Sequence, residues 1–520
     1  MKLNKLLCLA LVLALVCMPL LSACGDTKTE SSAAASGGTE ESTLETEYTD
    51  KEGKYKWKTS GKDWSDIGEI TFLTCGVNDK ENSEIVYTVI EKESKTNYPE
   101  IINSDIGERA NQVEQILGVK VKEEYIYDGA RMNALMCERI RTGNLTATED
   151  YQVVVPCLYD GANLAVGGEL LDLRALKDQG LQIDAPWWSQ EFNKTMEMGG
   201  QLYFTVGDIG LVNKSATSAL YFNLDLWNRL GLSEKFGGNP YELVRAGKWT
   251  VDRVFEAVKS VGRDLNHDNV IDYSDEFGWG GQLDDMWSVF FASGARIASA
   301  DPGEYPKLTM YSEKSDALMK KLQELVQDKE HYISGNDYFG VAKWPMELIR
   351  NGFIEGRALF YNAEIADVVA LGPMEEHFGI VPVPKADDGQ EIYYSLTNPW
   401  SSTCFAIPSC VNGDKLAMTI DVLNVMGAIS ANTVAKDYDQ IVLSYQKTRD
   451  DETVEMIFDY IFPGRACDIG MVYKWGKLDD LLHDMAKQPV GSFASNYEAR
   501  ATAAQTALDE TVDQMKKNAK

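Results

Sequence analysis

From about residue 67 onward, short apolar runs alternate with longer stretches whose apolar residues recur every three or four positions. Glu69 to Leu73 (EITFL) predicts a short strand. Val113, Ile116 and Leu117 give residues 110–117 a helical stripe, and residues 119–125 begin with the alternation of a strand that has one covered face. Residues 130–141 read as a helix with Met132, Leu135, Met136 and Ile140 on one side. Val153, Val154 and Val155 form an unbroken apolar run of the kind found in a buried parallel strand. Strand and helix therefore alternate, which predicts βαβ units and an α/β fold. The chain ends in a helix from Ala501, with Ala503, Ala507, Val512 and Met515 on its apolar side. Residues 79–105 fit neither period, and no internal repeat is present.

The amino terminus follows another logic. Lys2 and Lys5 precede an apolar run from Leu6 to Leu21, the layout of an export signal. The run ends in Leu21-Ser22-Ala23-Cys24-Gly25, which resembles the lipobox of bacterial lipoproteins, so residues 1–23 are expected to be removed and Cys24 to take a lipid. Gly25 to Thr43 is mostly Ser, Thr, Ala, Gly and Glu, a composition that stays unfolded. Residues 24–65 thus read as an anchor and tether, although the charged, aromatic stretch from Thr46 to Asp63 has no assignment. The expected location is extracytoplasmic, held to the cell membrane by lipid.

About 455 residues remain beyond the tether, enough for two or three domains. The formal charge is −30, and loss of Lys2 and Lys5 with the leader makes it two charges more negative. Phosphates would be repelled by such a surface, which argues against nucleic acid as a partner. Six cysteines lie beyond the anchor, at 75, 137, 157, 404, 410 and 467, with no paired metal or redox spacing. Buried thiols are the expected state.

Several stretches carry a family resemblance in consistent order. Leu220 to Leu232 (LYFNLDLWNRLGL) reads as a strand running into a helix that Gly231 stops. Gly247 to Asp252 (GKWTVD) places Thr250 as a helix cap, with Asp252 in the first turn. Gly200 to Asp208 (GQLYFTVGD), Phe353 to Tyr361 (FIEGRALFY) and Phe378 to Lys385 (FGIVPVPK) complete the set. Together they resemble the extracellular solute-binding protein family 1 of ABC importers, which includes the maltose-binding type. Residues 200–208 lack the proline usual there. The resemblance implies a two-lobe, periplasmic-binding-protein-like (type II) fold with a hinge and an interlobe cleft. Lobe one would take residues 66–208 and 405–460, and lobe two 209–404 and 461–520. It also implies a monomer that captures a small solute, a carbohydrate above all, and delivers it to the permease subunits of an importer. A peptide or polyol phosphate is the alternative solute.

A sugar site needs aromatic planes beside paired polar groups. Tyr159 and Asp160 lie just past the Val153–Val155 strand, where α/β folds place ligands. The resemblance adds Asp208 at the first crossover, Glu364 after the Ala358–Tyr361 strand, and Trp475 before the closing helices. Trp187, Trp188, Trp279, Trp287 and Trp400 are further aromatic candidates, each with core packing as the competing reading. Asp264, Asn266, Asp268, Val270, Asp272 and Asp275 are spaced like the ligands of a twelve-residue calcium loop. Asn269 stands where Gly is usual and Asp275 where Glu is. A structural Ca²⁺ and an acidic turn closed by its own Asx bonds are the two readings. No cofactor is otherwise required. A surface glycoside-active enzyme is the rival class, but none of the four His sits in H-E-x-x-H, and no G-x-S-x-G or Walker loop occurs.

Overall fold

A computed structural model describes residues 47–76, 84–86, 99–127, 132–148, 150–440, 450–487 and 491–519. The leader and Cys24 lie outside the described residues.

The first sheet is parallel, in the order β2-β1-β3, with β1 at Glu69–Gly76, β2 at Lys120–Tyr127 and β3 at Val153–Val155. Helix α1 (Glu100–Leu117) connects β1 to β2 in the expected βαβ manner, and α2 (Leu158–Val166) follows β3. Val153 to Val155 are all buried, as their unbroken apolar run required. The helix after β2 spans Ala134–Thr146 and buries Met136 and Ile140. Met132 and Leu135 are exposed, so its covered face is narrower than the sequence pattern suggested.

The second sheet is mixed. Its strands are β4 (Ser218–Asn223), β5 (Gly262–Arg263), β6 (Glu276–Gly281), β7 (Tyr332–Ser334), β8 (Ala358–Glu364) and β9 (Phe378–Val381), in the order β9-β4-β8-β6-β5 with β7 also on β6. Alternation along β4 explains its two covered faces. Leu220 and Phe222 enter one core with Trp249 and Trp279, while Ala219 and Tyr221 enter another with Phe353 and Phe378. Thr250 does begin a helix, Val251–Val258, but without a side-chain cap bond. Val251 N donates instead to Lys385 O at 2.9 Å.

The molecule is thus a two-lobe α/β protein, each lobe built on its own sheet and core. The chain passes between lobes near 205–218 and returns near 397–406, where Thr217 bridges Thr397 and Thr205 bridges Phe405. Ser395–Leu396 pairs in parallel with Arg465–Ala466 at the same junction. Helix α3 (Asp285–Ala292) packs in lobe two, and the buried helix α4 (Gly413–Asn432) in lobe one. Within residues 405–460, assigned by sequence to lobe one, Val434, Tyr438 and Ile457 lie in a cluster with Tyr221 and Phe378 of the second sheet. Cys467, Val472 and Trp475, assigned to lobe two, pack in the first core.

Two further helices close the chain, α5 (Leu478–Lys487) and α6 (Phe493–Asn518). The buried stripe of α6 is Ala504, Leu508, Thr511 and Met515, one position off the predicted stripe at its first members; Ala503 is exposed and Ala507 and Val512 flank it. The stretch from Thr46 to Asp63, where described, straps lobe one. Ser60 N donates to Asp421 Oδ1 at 2.9 Å, and Tyr48 sets its ring edge-on to Trp187 at 5.6 Å. The next residue, Trp64, adds an Nε1 bond to Asp421 Oδ2 at 2.9 Å. Cys75, Cys137, Cys157, Cys404, Cys410 and Cys467 are buried thiols. Among the described residues no helix is long and apolar enough to cross a membrane.

Candidate functional site

Between the lobes the structure gathers a polar cluster around Tyr159, in the first turn of α2. This is the position beyond a parallel strand end that the sequence indicated. The Tyr159 side chain is buried, yet its hydroxyl has no hydrogen-bond partner. Lys474 Nζ lies over its ring, 4.8 Å from the centroid. Burial and then the carboxylates of Asp479 and Asp284 push the Tyr159 hydroxyl pKa upward.

Asp479, at the start of α5, is fully buried and has Lys474 Nζ 2.8 Å away. Neither of its carboxylate oxygens has an aligned hydrogen bond. Burial raises its pKa, and Lys474 opposes the rise. One turn along α5, the His483 ring stacks on Trp287 with centroids 4.1 Å apart and planes 18° apart. His483 Nε2 is 3.1 Å from Asp284 Oδ1, inside ion-pair range but not aligned as a hydrogen bond. Trp287 Nε1 donates to the Asp479 carbonyl at 2.9 Å, which locks the stacked ring to α5.

Lys474 adopts a left-handed backbone, φ 54°, as do Gly476 and Lys477 at φ 57° and 55°. Two non-glycine residues in that region within one turn mark local strain, which concentrates at functional sites. The strained turn rests on α6. Arg500 Nη1 donates to Lys477 O at 2.8 Å, and a Cβ at Gly476 would sit 2.5 Å from Ala504 Cα.

Glu364 and Trp400 flank this cluster on lobe two. Ser401 Oγ donates to Glu364 Oε1 at 2.6 Å, and Trp400, about half exposed, donates its backbone N–H to Asn398 Oδ1 at 3.0 Å. Burial raises the Glu364 carboxyl to about 7; the Ser401 bond opposes the rise, and the charges of Asp367 and Asp284 add to it. Asn398 Nδ2 reaches Asp284 Oδ2 at 3.5 Å, linking this group to the Tyr159 cluster.

The remaining predicted residues have other places. Asp160 accepts the Asn133 backbone N–H at 2.7 Å and so holds the start of a lobe-one helix. Asp208 stands at the chain crossing, 3.4 Å from Lys214 Nζ, which also reaches Asp439 Oδ2 at 2.8 Å. Trp187 and Trp188 are buried in the lobe-one core, Trp187 against Gly427 and Trp188 edge-on to Phe405. Trp279 is buried in lobe two and donates to Asp285 Oδ2 at 2.8 Å. Trp475, expected on a partly exposed loop, is buried instead: its Nε1 donates to Thr511 Oγ1 at 2.9 Å and its ring stacks on Tyr473. The polar neighbours Lys474 and Lys477 misled the reading, because the left-handed turn points the indole inward against α6.

Sequence reasoning missed Asp284, Lys474, Asp479 and His483. The scarcity of histidine, four in the chain, was the one available signal, and it does not single out His483.

In the 264–275 loop, Asn269 takes the left-handed conformation expected at the glycine position, φ 66°. Asp264 accepts the N–H groups of His267 and Asn269 at 2.6 and 2.8 Å. Asp275, fully buried, accepts those of Leu265 and Asp272 at 2.8 and 3.0 Å. Among the described residues no three His, Cys, Asp or Glu side chains are arranged to hold a metal ion, so calcium would require these oxygens to turn toward a common centre.

No family model and no curated protein matches this chain. Among solved structures, one match is the ABC substrate-binding protein Lmo0181 from Listeria monocytogenes in complex with cycloalternan. It is 13% identical with a TM-score of 0.48, and the alignment covers 86% of this chain and 98% of that one.

Proposed function

We propose that the protein is the solute-capturing component of an ABC importer, binding a carbohydrate between its lobes and delivering it to the permease. The observation that carries this reading is the buried Tyr159 hydroxyl, which has no hydrogen-bond partner amid a group of polar side chains between the lobes. Around it Lys474 Nζ lies 2.8 Å from Asp479 and His483 Nε2 3.1 Å from Asp284 Oδ1, beside the Trp287 ring. Buried polar groups are normally satisfied, so such an exception is explained by a ligand or ordered water that completes it. Sugars supply what is missing, since their hydroxyls both donate and accept and their C–H faces lie against aromatic rings. Two lobes joined at a crossing give the solute two walls and a way to close.

A phosphate or a free peptide carboxylate would meet the carboxyl groups of Asp284, Glu364 and Asp479, with Lys474 already held by Asp479, which favours a neutral polyol. Lipidation at Cys24 would hold the protein at the outer face of the cell membrane as a monomer beside its permease. A thermal-shift screen of the chain without its leader against defined sugars tests the reading. A cognate sugar at about a hundred times its dissociation constant stabilises by about 2.7 kcal/mol. Absence of a shift with every sugar, and a shift with a peptide or phosphate, would overturn the carbohydrate assignment; release of cleaved product from a bound glycoside would overturn the binding-protein assignment.

A further inference from the structure

Lobe two carries a pocket of about 490 Å³ whose wall includes Leu283, Ser334, Asn336, Phe339, Ala486 and Lys487. We infer that this pocket is an outer subsite of the same cleft, taking a further sugar ring of an elongated ligand; the inference rests on the carbohydrate reading above. Continuity with the Tyr159 cluster comes from two elements. Leu283, on the pocket wall, directly precedes Asp284. Ala486 and Lys487, also on the wall, lie three and four residues beyond His483 on α5, hence on the same helix face about 5–6 Å further along. A chain of sugar units leaving the His483–Trp287 stack along α5 therefore enters this pocket.

The lining has the chemistry such a ring needs. Ser334 is 5% exposed, and its hydroxyl has no hydrogen-bond partner. Phe339 stands at the same pocket with 64% of its surface exposed, a flat apolar face with nothing stacked on it. Asn336 is held in place by accepting the Leu283 N–H at 2.9 Å, which ties the pocket floor to the segment carrying Asp284. Both lysines at the rim already have carboxylate neighbours, Lys329 with Asp337 at 2.7 Å and Lys487 with Asp484 at 3.6 Å. The pocket thus suits a neutral, hydroxyl-rich unit better than an anion. The volume falls within the range of small-ligand sites.

The test is ligand length. Disaccharides and hexasaccharides of the glucose, xylose and mannose series are titrated calorimetrically into the wild type, Phe339→Ala and Ala486→Trp. Phe339 is exposed, so its truncation leaves the fold intact, and the Trp variant fills the pocket. For a series that binds, the hexasaccharide loses about three- to tenfold affinity in both variants. The disaccharide is unchanged. Equal losses for both lengths, or no loss for either, overturn the subsite and leave the carbohydrate reading standing. Failure of every sugar of either length to bind the wild type overturns both.

Discussion

A hydroxyl that is buried without a partner costs stability in the free protein and is recovered only when something arrives to meet it. Tyr159 is in that state, with its ring under Lys474 and its oxygen near two carboxylates. Tyr159→Phe removes the oxygen and keeps the ring. The expected result is a melting temperature equal to or slightly above wild type, together with about tenfold weaker sugar affinity. A lowered melting temperature with unchanged affinity would make Tyr159 a packing residue. Its place was legible in the sequence, because a residue just past a parallel strand end can be located from local pattern alone. Asp284, Asp479 and His483 were not legible, since α3 and α5 become neighbours only through tertiary packing nearly two hundred residues apart in the chain. The tryptophans failed in the opposite direction: Trp187, Trp188, Trp279 and Trp475 are large enough to build cores, and core packing absorbed them.

At the scale of elements, Asp285 ties four parts of lobe two together. From the first turn of α3 it accepts Trp279 Nε1 of β6 at 2.8 Å, Tyr332 OH of β7 at 2.9 Å and Asn362 Nδ2 of β8 at 2.9 Å. Burial outweighs these donors and raises its carboxyl to about 7. The folded state therefore keeps a proton that the unfolded chain loses near pH 4, where its ordinary value of 3.8 lies. Stability from this group is fully present below about pH 4 and is lost as the pH rises through about 7. Melting temperatures measured across that window should fall with rising pH, and Asp285→Asn should make the fall shallower, with Glu364, Asp479 and the other buried carboxyls supplying what remains. An identical slope in the variant would remove Asp285 as its source. The 264–275 loop makes a second element-scale case. Its left-handed Asn269 and buried Asp275 fit a calcium loop, and its side-chain bonds close it as an acidic turn. As a calcium site, it would raise the melting temperature when Ca²⁺ is returned to chelator-treated protein, and Asp264→Ala would abolish the rise; no response to Ca²⁺ would leave it a turn. The parallel strands of lobe one were readable from their apolar runs. The mixed second sheet was not, because which strands pair antiparallel depends on long connections that carry no periodic signal.

Across the whole molecule, the terminal helix α6 belongs to both lobes. Phe493 and Ala504 sit in the lobe-two core, while Leu508 and Met515 sit in the lobe-one core. Its far end reaches α2, where Asn518 Nδ2 donates to Ala165 O and Val166 O at 3.0 and 3.2 Å. Between these ends it supports the strained turn through Arg500 and Thr511, and so holds Lys474 over Tyr159. Two lobes on separate sheets would each unfold as a unit unless shared packing couples them. Ile102 and Ile106 of α1, which pack with Tyr221 and Phe378, are one such coupling, and helix α6 is another. Removing its second half, by ending the chain after Gln505, takes Leu508 and Met515 out of the lobe-one core, removes Thr511 from Trp475 and leaves Phe493 and Ala504 in lobe two. Calorimetry of the intact chain should then show one cooperative transition. The truncated chain should show two, the lobe-one step shifted to lower temperature by the loss of two buried side chains, each worth about 2–5 kcal/mol on truncation. Sugar affinity should fall in parallel, because Trp475 loses Thr511 and the turn bearing Lys474 is released. A single transition retained after truncation would mean that the chain crossings and the packing of α1 on the second sheet suffice to couple the lobes, and α6 would be only a cover on each.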